Sequence, residues 1–180
     1  YLGLIAFLLF HRRLRLGPKA GAGTAAIMRY TLRALTIQQF QRAAGLVMAC
    51  EQLRQDAAEP RFGVVPFSIG LWVGGSATPN TVAEAAELKP GANTDHRQLT
   101  KCPCCGGTLI WSPNPARDQM AVRCRKKGCW FADHGEQLPV YTIDQDIYRV
   151  LPSLLIGTID KFAQVVRRRE TGRLFGIDTP

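Results

Sequence analysis

Two pairs of cysteines constrain this chain more than anything else in it. Cys102 and Cys105 bracket the turn in CPCCGG, and Cys124 and Cys129 bracket the basic turn CRKKGC, 18 residues further on. A structural zinc ion takes four thiolate or imidazole ligands from two short turns that bend around the metal. A CxxC followed at this distance by a CxxxxC predicts a zinc ribbon, in which each of two short hairpins gives one pair. A disulfide framework is the competing reading, and no special role is another. Disulfides suit the chain less well, because 180 residues bury an ordinary core without covalent staples and nothing else marks the chain as secreted. Cys104, inside the first turn, and His134, just past the second, are alternative ligands. Cys50 lies in a helix-like run and reads as a small buried hydrophobe.

Charge narrows the partner. The net charge is +9, and 17 arginines outnumber 6 lysines. Arginine grips phosphate with a two-pronged fork, so an acidic polymer such as nucleic acid is the natural partner; many small basic domains bind nothing, and charge alone leaves that alternative open. The opening run YLGLIAFLLF is apolar throughout and HRRLR follows it. Ten helical residues rise about 15 Å, half of what a bilayer core needs, and a signal peptide carries its charges before the apolar run. The run therefore predicts a buried helix over residues 1–15 and no membrane partner. A start at Tyr1, in mid-helix, is expected of a piece of a longer protein.

Breakers and periodicity divide the rest. Thr24 to Tyr30 has a strand's length and composition and is expected to be buried on both faces. A long helix is expected from about Thr36 to Asp56, then a strand over Val64 to Val73, interrupted by Pro66. Thr81 with Glu84 forms a capping box that opens a short helix, which Lys89-Pro90-Gly91 ends. Pro139 to Ile143 reads as a returning strand, Asp144 to Val150 as a helical turn and Ser153 to Thr158 as a buried strand. A basic helix is expected from Ile159 to about Thr171, ending in Arg167-Arg168-Arg169. Buried strands alternating with helices predict an α/β fold, a parallel sheet wrapped by helices. Ligands of such sheets sit beyond the carboxyl ends of the strands. Three strands end there in Arg29-Tyr30-Thr31, Gly74-Gly75-Ser76 and Gly157-Thr158, turns rich in backbone donors and hydroxyls suited to phosphate oxygens.

The segments MRYTLRALTIQQFQRA (28–43), GLWVGGSATPNT (70–81) and LPVYTIDQDIYRVLPSLLIGTIDKFA (138–163), with the CPxCG knuckle, resemble the helicase component of DISARM-type anti-phage systems. That group is similar to superfamily 2 helicases, and the resemblance implies two RecA-like motor domains, ATP hydrolysis with Mg²⁺, translocation along DNA and a cytoplasmic site of action alongside other subunits of a defence complex. It implies that residues 1–96 and 139–180 belong to the first, partial RecA-like domain and that 97–138 form the inserted zinc ribbon. Thr31 and Arg33 fall where such helicases first touch nucleic acid, and Gly74-Gly75 resembles their backbone-contacting glycine doublet. Gly157-Thr158 resembles a later motif whose threonine holds a strand phosphate, and Lys161 adds a cation. No G-x-x-x-x-G-K-[ST] phosphate loop and no acidic Walker B motif occur in these 180 residues, so the stretch is expected to lie between the two ATP motifs, to hold no catalytic residue and to be inactive alone. Asp144 and Asp146 read as helix-start caps and Asp160 as part of a helix entry, not as replacements. The alternative function is a non-catalytic zinc-ribbon module that binds nucleic acid or a partner protein.

Overall fold

A computed structural model describes residues 1–57, 60–89, 92–163, 165 and 169–177. Helix α1 spans Leu2–Ala20 and is broken at Gly17, whose φ of 82° precedes Pro18. Strand β1 (Ala26–Tyr30) leads through a two-residue turn into helix α2 (Arg33–Asp56). A 3-10 turn (Pro60–Phe62), strand β2 (Ile69–Trp72) and helix α3 (Val82–Glu87) follow. The antiparallel hairpin of β3 (Leu109–Asn114) and β4 (Gln119–Cys124) comes next, then the short helix α4 (Trp130–Asp133). The chain returns through β5 (Val140–Tyr141), α5 (Asp144–Val150), β6 (Leu154–Thr158) and α6 (Ile159–Ala163) to a 3-10 segment, Arg169–Phe175.

Strands β1, β6, β2 and β5 lie side by side in that order, and every pairing is parallel. All five residues of β6 are buried, as a parallel strand covered on both faces should be. On one side Phe40, Ala44, Val47 and Met48 of α2 pack with Ile69, Leu71, Leu154 and Ile156 of the sheet. On the other, Trp72, Tyr141, Ile147 and Leu155 form a second cluster. The hairpin has no separate interior: Cys102, Val122, Cys124, Cys129 and Phe131 join the α2 side of the sheet core.

Several expectations need correction. β1 is an edge strand and is only half-buried, not covered on both faces. The strand expected over Val64 to Val73 shrinks to Ile69–Trp72, because the carbonyls before it are engaged elsewhere. Arg13, 1 % exposed, donates to Phe62 O and Val65 O at 3.0 Å each and lies over the Phe67 ring. The expected buried helix 1 is buried on one face only, through Ile5, Leu9 and Arg13, while Leu4, Phe7 and Leu14 are exposed. Of the basic helix expected to reach Thr171, the described residues show an α-helix over Ile159–Ala163 and a 3-10 segment over Arg169–Phe175. Arg167 and Arg168, like Pro90 and Gly91, lie outside the described residues, as do the side chains of Arg169 and Pro60. Among the described residues no helix is long and apolar enough to cross a membrane.

Candidate functional site

The parallel register sets three strand ends on one edge. Tyr30 lies beside Thr158, and Trp72 beside Gly157, so the turns after β1, β2 and β6 leave the sheet together. Thr31, Arg33 and Gly75 are exposed there and Gly74 is partly so. Arg33 Nη2 donates to Ser76 Oγ at 2.7 Å, a bond between the exits of β1 and β2. Ser76 thus joins the edge as an anchor for Arg33. The glycines differ in cause. A Cβ at Gly74 would meet nothing within 4 Å, so only an approaching partner would need the space. A Cβ at Gly157 would fall 2.9 Å from Trp72 O, so that glycine serves close strand packing.

Two expected contacts lie beneath the edge, not on it. Lys161, 3 % exposed, forms a buried ion pair with Asp144. The expectation of an accessible cation at Lys161 therefore fails: burial costs an ammonium its hydration, and the Asp144 carboxylate supplies the compensating charge. Tyr148 Oη, which accepts from Trp72 Nε1 at 3.0 Å, lies 3.5 Å from the same carboxylate and extends the network under β2. Asp144 is thus a partner for Lys161 where a helix cap was expected. Asp146 departs likewise: its Oδ2 accepts from Met120 N at 3.1 Å and ties β4 to α5. Burial pushes its carboxyl up to about 6. Thr158 is also buried, and among the described residues its hydroxyl has no hydrogen-bond partner. Only the Thr81–Glu84 capping box forms nearly as expected. Glu84 N donates to Thr81 Oγ1, and the Glu84 carboxylate reaches back one residue further, to Asn80 N.

The four expected cysteines converge. Their sulphurs all lie within 4.8 Å of one another. Cys102 Sγ is 3.8 Å from Cys129 Sγ, and Cys105 Sγ is 3.5 Å from Cys124 Sγ. A zinc–thiolate tetrahedron with bonds of about 2.3 Å requires sulphurs about 3.8 Å apart, so this donor set can hold one metal ion. All six cysteines are free in this structure. Each knuckle is a tight turn closed by a left-handed glycine: Gly106 at φ 69° and Gly128 at φ 80°. Cys102 N bonds Gly107 O, and Cys129 N bonds Lys126 O. The amides of Gly107 and Lys126 point at the sulphurs of Cys105 and Cys124, each at 3.4 Å. Burial pushes the thiols of Cys102 and Cys124 up to about 12. A cation that displaces the protons of Cys102 and Cys124 is the linkage expected of a metal site. Cys104 is exposed and outside the cluster, Cys50 is a buried thiol in α2, and His134 turns its Nδ1 to Trp130 O at 2.8 Å.

Fold and site together define an α/β protein with a four-stranded parallel sheet, flanking helices and a four-cysteine cluster able to hold a metal ion. No protein-family model matches the chain. It is 36 % identical, over 196 aligned positions, to the DISARM protein DrmA of Bacillus paralicheniformis. The match takes in 98 % of this chain but only 17 % of that relative, so the chain spans about a sixth of the length of the protein it resembles.

Proposed function

We propose that these residues are part of the first motor domain of an ATP-dependent DNA helicase or translocase that works in an anti-phage defence complex. In this reading residues 1–96 and 139–180 build one RecA-like domain, and residues 97–138 are an inserted zinc ribbon. The single observation that carries it is the edge where β1, β2 and β6 end together, in a chain similar along 98 % of its length to a DISARM protein. ATP and Mg²⁺ are bound by residues outside this sequence, which has no phosphate-loop lysine to cradle them.

At the edge, the Thr31 hydroxyl and the backbone amides around Gly74-Gly75 meet strand phosphates. Arg33 has five N–H donors and spends one on Ser76 Oγ, which fixes its direction and leaves the others for a phosphate. Such contacts position a strand without reading its bases. Thr158 shapes the β6–α6 turn, and Lys161 holds that turn from below through Asp144. Zinc, bound by Cys102, Cys105, Cys124 and Cys129, is structural, since a closed four-thiolate site leaves no position for a substrate.

The test uses the full-length protein. DNA should stimulate its ATP hydrolysis, and Arg33→Ala should weaken DNA binding on all sequences, with a log–log salt slope shallower by about 0.7 on a single strand. A full-length protein that neither binds DNA nor hydrolyses ATP sinks the proposal.

A further inference from the structure

The basic turn of the second knuckle is absorbed neither by the strand-end edge nor by metal binding. Arg123, Arg125, Lys126 and Lys127 are all exposed, as is Lys101 beside the first knuckle. Among the described residues no carboxylate forms an ion pair with any of the five. Asp133, on α4 just past the knuckle, accepts from the amide of Gly128. Lys126 is the one already occupied: its Nζ donates to Cys105 O at 3.2 Å, and its stem covers Gly107. There it faces the sulphur cluster and offsets the negative charge that four thiolates keep around a divalent ion. Arg123, Arg125 and Lys127 are left pointing at solvent.

This turn stands far from the strand-end edge, and helix α2 gives the distance. Arg33, at the first residue of α2, is bonded to Ser76 on the edge. The first knuckle reaches α2 near its middle, where the backbone of Pro103 lies against Gly45. The second knuckle reaches its end, where Trp130 Nε1 donates to Asp56 Oδ1 at 3.3 Å. With a rise of 1.5 Å per residue, these two contacts lie roughly 18 and 35 Å from the edge along α2. In duplex DNA that is about 5–10 base pairs.

We propose that the turn Arg123–Lys127 is a second phosphate-contacting surface, which holds the nucleic-acid backbone about half to one helical turn away from the strand-end edge. The inference rests on the reading of nucleic acid as the partner. The turn's composition favours a phosphate chain over a protein. Protein interfaces draw their energy from aromatic and apolar anchors, and the exposed part of this turn consists of Arg123, Arg125, Lys126, Lys127 and Gly128, none of them apolar. Phosphates require only cations.

The experiment compares the full-length protein with its Arg123→Ala/Arg125→Ala/Lys127→Ala variant and with Arg33→Ala, on a duplex of about 30 base pairs across a salt series. Three lost contacts should flatten the log–log slope by about 2.7. The parent's advantage over the triple variant should then shrink about 40-fold between 50 and 200 mM salt. Metal content should not change, and Arg123→Lys/Arg125→Lys should bind as the parent does. The triple substitution and Arg33→Ala should be additive in log affinity, because sites this far apart act independently. If the triple variant loses metal, Arg125→Gln/Lys127→Gln replaces it, with an expected flattening of about 1.8. An unchanged slope in the knuckle variant, with Arg33→Ala still flattening it, overturns this inference and leaves the strand-end reading intact. Unchanged slopes in both sets overturn both. Loss of a protein subunit from the knuckle variant, with DNA binding intact, overturns the phosphate surface in favour of a protein contact.

Discussion

Lys161 separates two accounts of the β6–α6 turn, and its removal tells them apart. Lys161 and Asp144 are each 3 % exposed in their side chains, and they are paired with one another. Lys161→Met keeps much of the volume and takes the ammonium away from the buried Asp144 carboxylate. Breaking a buried pair by removing one partner costs about 3–5 kcal/mol. For a protein of this size each kcal/mol lowers Tm by about 2–4 °C, so the midpoint should fall by about 6–20 °C. The companion change Asp144→Asn removes the carboxylate's charge as well and keeps an oxygen facing Tyr148. The double variant should therefore recover most of the loss, since replacing both members of a buried pair is often close to neutral. Thermal and urea denaturation of the parent, the two single variants and the double variant give the coupling energy, expected at about 2–4 kcal/mol. A Lys161→Met variant within 1 kcal/mol of the parent, or a double variant as unstable as the two single losses added, refutes the reasoning. If Lys161→Met left stability untouched and flattened the salt dependence of DNA binding, the lysine would be the phosphate contact that the sequence suggests.

Asp146 gives a pH test: its buried carboxyl titrates at about 6, while in the unfolded chain it titrates near 4. The unfolded state loses its proton first, so this group's contribution is most favourable below pH 4 and declines until pH 6. Asp146→Asn, which still accepts from Met120 N, should remove that decline and be more stable at pH 7 by up to about 3 kcal/mol; equal pH–stability curves for variant and parent would contradict this. Elemental analysis should find one zinc per chain, reduced in Cys124→Ser and unchanged in Cys104→Ser, since only Cys124 belongs to the four-sulphur cluster; retention of zinc at parental affinity in Cys124→Ser counts against the site. Gly157→Ala should cost about 1–3 kcal/mol, because the added methyl meets the Trp72 carbonyl. Gly74→Ala should leave Tm within a degree or two of the parent and act only on DNA affinity, and a reversed order of the two glycine effects in a melting experiment would refute their assignment.

What could be read from the sequence depended on how local the determining physics is. Knuckle spacing is local, so the four sulphurs could be named and Cys104 set aside before any fold was known. The all-parallel sheet and the shared edge also follow from pattern, because strands such as Leu154–Thr158 are short, continuous apolar runs ending in a turn. Strand limits did not follow. Residues 64–68 have strand composition, yet Arg13, about 50 residues earlier, takes the Phe62 and Val65 carbonyls on the approach to β2. Nothing in residues 64–73 signals that competition. Lys161 misled for a similar reason. A lysine one turn into a helix beside a strand end looks solvent-facing until α5 brings Asp144 against it. Ser76 could have been noticed as a hydroxyl beside the glycine doublet, but its bond to Arg33 joins residues 43 apart.

The continuity of the core explains why a metal module and a sheet edge can occur in these 180 residues without being independent parts. Cys102, Cys124 and Cys129 are buried in the same cluster as Ile69 and Leu154, and Phe131, just past the last cysteine, is completely covered there. The hairpin is pinned at its other end as well, by the Asp146–Met120 bond and by the Leu138 amide donating to Val122 O at 2.8 Å. A metal ion in the knuckles would therefore hold β4 against Leu138, which leads into β5, and β5 pairs with β2, the strand that opens into Gly74-Gly75. The same ion would fix the direction of the Arg123–Lys127 turn, and so bear on both ends of α2. This gives the metal a positioning role without any part in chemistry, consistent with a closed set of four thiolates.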